Sequence, residues 1–136
     1  MKRIIVLALT LAMLIAAFSG CSESKDNSSL PVSGKGGIKS VSVSSLPKGY
    51  NYSFGKNDAD AIIDYLSNLN LISDFEENPN EYAGMTWVIS LEYENGDIVT
   101  VYHFVNMFIC ADGGPWYKMN FEEASRFDAL LDELSK

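Results

Sequence analysis

The chain is poor in the groups from which most enzyme sites are built. It has one histidine, His103, and two cysteines, Cys21 and Cys110, among 136 residues. A structural zinc site usually takes four Cys or His ligands, so no metal is expected. No G-x-S-x-G motif marks a serine nucleophile. The glycines of "SGKGG" have no strand before them and no helix after them, as a phosphate loop would require. No cofactor is expected on these grounds. Positive charge is absent from the middle of the chain. From Asn57 to Tyr117 there is no lysine or arginine, while Asp58, Asp60, Asp64, Asp74, Glu76, Glu77, Glu81, Glu92, Glu94, Asp97 and Asp112 all fall inside that span. The formal charge is −8. A nucleic-acid partner needs a basic stripe to neutralise its phosphates, and none is present. An acidic balance favours solubility and repels an anionic bilayer surface.

What the chain does have begins at its N-terminus. Met1-Lys2-Arg3 is followed by the apolar run "IIVLALTLAMLIAAF", Ile4 to Phe18, and then by the small residues Ser19 and Gly20 before Cys21. A basic start, an apolar stretch and a small-residue end form an export signal. The run is too short for the ~20 apolar residues of a spanning helix. "FSGC" resembles the lipobox of bacterial lipoproteins, with Phe18 standing where an aliphatic residue is usual. The resemblance implies cleavage before Cys21 and lipidation of its sulfur. Two acyl chains on one residue would supply the anchoring that a single chain cannot. The expected location is the outer face of the bacterial cytoplasmic membrane, or the outer membrane of a Gram-negative cell. Residues 1–20 are thus expected to be signal peptide. Residues 21–37, rich in Ser, Gly and Asn, read as the lipidated Cys21 and a flexible tether. Residues 38–136 remain as one domain of about a hundred residues, enough for a modest core without disulfides.

Within that domain, alternation in "IKSVSVSSLP" predicts a strand ending before Pro47. "KGYNYSFG" reads as an aromatic, turn-rich connection. "NDADAIIDYLSNLNLI" has apolar residues at 59, 62, 63, 66 and 69, which is helical spacing, opened by Asn57 or Asp58 as cap. "MTWVISLEYENGDIVTVYHF" is two strands around Asn95-Gly96, a strong hairpin signal. "MFICA" and "WYKM" supply two further strands. "NFEEASRFDALLDELSK" is a helix with Asn120 as cap and a stripe of Phe121, Ala124, Phe127, Leu131 and Leu134. The order strand, helix, four-strand antiparallel meander, helix predicts an α+β two-layer sandwich with both helices on one face.

A two-residue Asn95-Gly96 turn sets Leu91 opposite Thr100, Ile89 opposite Tyr102 and Trp87 opposite Phe104. One sheet face then holds Trp87, Ile89, Leu91, Ile98, Tyr102 and Phe104 and is the expected core. The other holds Glu92, Val99, Val101, His103, Phe108, Cys110 and Tyr117, and is the expected functional surface. On it His103, Phe108, Tyr117 and Glu92 are the candidate ligand contacts. A Cys110–His103 pair is the one arrangement that would suit a thiolate nucleophile, but no orienting carboxylate lies beside it, so catalytic residues are not expected. The loop "DFEENPNEY", with Asp74, Glu76, Glu77 and Glu81, is a better calcium candidate than "NDADAIID", but a solvated acidic loop is the expected reading.

The function expected is therefore non-enzymatic: a lipid-anchored, monomeric binding domain outside the cytoplasm, taking a protein, a peptide or a cell-wall component. The alternative is an enzyme-inhibitor or immunity-type lipoprotein that occludes a basic active site with its acidic surface. A Cys/His-dependent enzyme comes third.

Overall fold

A computed structural model describes residues 28–32 and 36–136. The expected signal peptide and Cys21 lie outside the described residues. Seven strands and two α-helices follow: β1 (Ile38–Leu46), β2 (Asn51–Phe54), α1 (Lys56–Ser67), β3 (Leu71–Ile72), β4 (Thr86–Tyr93), β5 (Ile98–Phe104), β6 (Phe108–Ala111), β7 (Tyr117–Met119) and α2 (Phe121–Leu134). The strands form one sheet of order β2-β1-β4-β5-β6-β7-β3, antiparallel throughout. With the helices packed on one side, the fold is the α+β two-layer arrangement that the element order predicts.

Two strands extend that prediction. "YNYSF" alternates aromatic and polar residues, and it folds back on β1 as β2, with Val43 opposite Tyr52 and Val41 opposite Phe54. The predicted helix over 57–72 stops at Ser67, and Leu71-Ile72 pairs with β7 instead. Gly55 is the N-cap of α1, with no side-chain capping bond, in place of the expected Asn57 or Asp58. At α2 the expected cap forms, since Asn120 Oδ1 accepts from the amides of Glu122 (2.9 Å) and Glu123 (3.4 Å). The Glu123 carboxylate accepts from the Asn70 amide and side chain, and so ties the two helix regions together. The α2 stripe starts at Ala124: Ala124, Phe127 and Leu131 are buried, whereas Phe121 is 63% exposed.

The β4–β5 register differs from expectation by one residue. The loop has three residues, Glu94-Asn95-Gly96. The Gly96 amide donates to Tyr93 O (2.9 Å), the Tyr93 amide donates to Asp97 O (2.9 Å), and Gly96 has φ +88°. A turn closed by a left-handed glycine is the three-residue hairpin solution, and glycine occupies that conformation without steric cost. It moves the partner of Trp87 from Phe104 to His103 and that of Ile89 from Tyr102 to Val101. With side chains alternating every residue, a one-residue slip turns a whole strand over. Val99, Val101 and His103 therefore face the helices and are fully buried, while Ile98 and Tyr102 are exposed at 62% and 37%.

A bulge between Ile38 and Ser40 plays a similar part in β1. It brings Ile38 to the inner side with Val41 and Val43, all buried. The core reaches further back than the expected boundary at residue 38. Leu30 and Val32 are 4% and 2% exposed, and Tyr93 Oη donates to Val32 O at 2.5 Å. Part of the segment read as tether is thus packed against the domain.

Candidate functional site

The four residues singled out on the expected face are not brought together. His103 lies under the helices with no exposed surface. Phe108 is equally buried but on the opposite side of the sheet, beneath Phe75 and Tyr82 at ring separations of 5.7 and 5.1 Å. Tyr117 pairs with the fully buried Ile109 and sits half-buried on the same, helix side. Glu92 is on the uncovered side, where it accepts from Lys39 Nζ (2.6 Å) and Ser40 Oγ (2.9 Å). These bonds hold its carboxyl below the usual glutamate range.

His103 and Cys110 are likewise separated. Cys110 pairs with Tyr102, and His103 with Ile109, so sulfur and imidazole leave the sheet on opposite sides. Burial raises the Cys110 thiol and disfavours the thiolate. Around His103, Tyr65 Oη lies 2.9 Å from Nε2 and donates to Ala124 O at 3.2 Å. A carbonyl only accepts, so the single hydroxyl proton of Tyr65 goes to Ala124 and Nε2–H donates to the tyrosine oxygen. Nδ1 is left without a partner among the described residues. Burial lowers the imidazole to about 4, against an opposing pull from Asp128. The histidine is a neutral core residue stacked on Phe127 at 5.1 Å.

The acidic loop has a structural use. Glu77 pairs with Lys118, and this bond is the leading cause of the lowered Glu77 carboxyl. Asn78 caps the 3₁₀ turn Pro79–Glu81 through the Asn80 amide. With Phe75 and Tyr82 packed on Phe108, the loop covers the β6 end of the sheet face. Among the described residues no group of three His, Cys, Asp or Glu is disposed to hold a metal ion.

The surface with accessible chemistry lies on the helix side, at the rim of the sheet. Tyr50 and Tyr52 from the β1–β2 hairpin, Trp87 from β4, and Asp128, Leu131 and Asp132 from α2 line a cleft of ≈ 300 Å³. Each wall follows from local sequence. Ser45, buried, staples the hairpin: its amide donates to Tyr50 O and its Oγ accepts from the Tyr50 amide, both at 2.9 Å. Tyr50 is thereby held at the lip, 50% exposed. Tyr52 follows two residues later on the same strand face. Residues 128, 131 and 132 stand at the i, i+3, i+4 spacing that puts helical side chains on one face.

The Trp87 ring is 6.3 Å from Tyr50 and 6.2 Å from Tyr52, tilted by 34° and 53°. Asp128 Oδ1 accepts from Trp87 Nε1 at 2.8 Å, and Oδ2 accepts from Asn106 Nδ2 at 3.3 Å. Asn106 reaches Asp128 from a tight turn in which Val105 and Asn106 both have positive φ, 47° and 52°. They belong to the three-residue loop Val105–Met107 between the paired Phe104 and Phe108, and a positive φ is strained for a β-branched residue such as Val105. A second, smaller hollow of ≈ 190 Å³ lies between Asp64, Tyr65, Asn68, Leu69, Glu123 and Arg126. Its polar groups are largely committed to the fold, Asn68 to Asp64 and Glu123 to Asn70.

Sequence reasoning passed over this cleft. The Tyr50, Tyr52, Phe54 alternation was a legible strand signal, but the pairing that sets it beside Trp87 and α2 was not. No protein-family profile, curated protein or solved structure matches this chain.

Proposed function

We propose that this chain is a lipid-anchored binding domain acting outside the cytoplasm, and that it takes its ligand in the Tyr50–Tyr52–Trp87–Asp128–Asp132 cleft. The observation that carries the reading is the union of three aromatic side chains and two carboxylates at one open concavity. A few polar groups converging on an apolar hollow are what ligand sites require. The separation of His103 from Cys110 leaves the Cys/His reading without its geometry and favours binding over thiol catalysis. The "FSGC" sequence supports the anchor.

The anchor and the site are tested separately. The wild-type protein is expected to incorporate labelled fatty acid, and Cys21→Ala to abolish that incorporation; equal labelling of the variant, or none of the wild type, would remove the lipoprotein reading. For the site, the indole N–H of Trp87 is a local probe, because it donates to Asp128 at the cleft wall. Titrating the full chain with short peptides, sugars and wall fragments should move this resonance saturably while that of Trp116 stays still. Shifts confined to Tyr102 and Ile98 would instead place binding on the uncovered sheet face and overturn the cleft assignment.

A further inference from the structure

We infer that the cleft's occupant is an organic cation, an alkylammonium or guanidinium group on an apolar stem; this rests on the binding reading above and narrows its ligand class. The first support is charge. The lining contains Asp128 and Asp132 and no lysine, arginine or histidine. Among the described residues the ion pairs are Lys39–Glu92, Lys56–Glu94 and Lys118–Glu77, all away from the cleft. Asp128 is partly buried, yet among the described residues its carboxylate accepts hydrogen bonds from the neutral donors of Trp87 and Asn106 and forms no ion pair. A charge withdrawn from water is costly without a counter-charge, so this carboxylate favours a cation arriving from outside and repels an anion.

The second support is the disposition of the rings. Their tilts of 34° and 53° against Trp87 keep the rings from forming one coplanar platform, the surface on which a sugar ring stacks best. Aromatic faces attract an ammonium or guanidinium through their quadrupoles, and the most open ring is Tyr50, 50% exposed, beside a Trp87 that is 6% exposed. Leu131 and the ring edges offer apolar contact to a methylene stem, the way lysine and arginine stems bury while their heads remain polar. The two carboxylates only accept, and the Tyr50 and Tyr52 hydroxyls are the lining's open donors, so the negative charge, which a cation answers and a neutral polyol does not, is what favours the cation. The source of the cation is either a basic side chain on a peptide or a free amine.

The test uses the full chain in neutral detergent, with the Trp87 indole resonance as readout and Trp116 as internal control. The probes are Nα-acetyl-lysine methylamide, its arginine counterpart, tetramethylammonium, and the norleucine derivative as an uncharged isostere. Saturable movement with a cation and none with norleucine is expected. Asp132→Asn and Tyr50→Ala, both at exposed positions, should each weaken binding about threefold to tenfold, in line with single ion-pair and cation–π contacts. Response to the amino-acid derivatives alone identifies a basic peptide; response to tetramethylammonium alone identifies a small free ammonium ion instead of a peptide side chain. Equal movement with norleucine overturns the cation assignment and leaves the cleft a binding site. Silence of Trp87 with every cation at the solubility limit also overturns it, and the wider ligand panel then judges the binding reading independently.

Discussion

Trp87 and His103 stand opposite each other on β4 and β5, and both lean on Phe127, yet they end in opposite circumstances. On the Trp87 side, Phe127 meets the indole edge-on at 6.2 Å, and the space beyond opens into the cleft. On the His103 side, Phe127 stacks on the imidazole and on Tyr65, each at 5.1 Å, and closes the layer. The histidine is the residue with the richer chemistry, but it is sealed. The tryptophan is the bland core candidate, and its polar edge reaches the rim through Asp128. Accessibility and partner geometry, more than side-chain type, decide which of two neighbours can meet a ligand.

The largest expected effect comes from removing the ring they share. Phe127→Ala should cost about 3–5 kcal/mol, the range for deleting a buried aromatic side chain, read by urea unfolding. If the loss fell below about 1 kcal/mol, the two sides would not share a support and the comparison would break.

Next comes the pH response of the sealed side. His103 protonates at about 4 in the fold, against 6.5 ordinarily, so the unfolded chain takes up the proton first. The stability that depends on a neutral imidazole is complete above pH 6.5 and is lost as pH falls from 6.5 towards 4, on the order of 1.4 kcal/mol per unit. His103→Gln removes this slope, so the gap between wild type and variant should shrink from pH 7 to pH 5. A constant gap would mean that the imidazole protonates in place, in contact with water.

A smaller effect is expected at the rim. Trp87→Phe keeps the ring but takes the indole donor from Asp128, at a cost of about 1–3 kcal/mol for a hydrogen bond to a charged group. No pH slope in the histidine range should accompany it. Smallest is Asn106→Gly, which removes a 3.3 Å bond to the same carboxylate while tolerating the positive φ, and should cost about 0.5–1 kcal/mol. If it matched Trp87→Phe in size, Asn106 would share equally in fixing Asp128.

The uncovered and covered parts of the outer sheet face show why the candidate site was only partly legible. Alternation in β4 correctly separates Trp87, Ile89 and Leu91 from Val88, Ser90 and Glu92. For β5 the same alternation fits either orientation, because Ile98 and Tyr102 are as apolar as Val99 and Val101. Periodicity therefore could not choose between them. The choice was made by Gly96 taking a positive φ and lengthening the turn by one residue. Phe108 is concealed by Phe75 and Tyr82, which lie some 30 residues earlier in a stretch with no secondary-structure period to announce its path.

By itself the sequence determined the α+β class, the two helix faces and the Asn120 cap. These depend on local spacing and on capping chemistry, both of which are written along the chain. Only the tertiary structure decided the register of β5, the burial of His103, the separation of that histidine from Cys110, and the meeting of Tyr50, Tyr52 and Trp87 with Asp128 and Asp132. Each of these depends on which residues face one another across distant segments. A single extra turn residue reverses that outcome without altering composition, periodicity or charge.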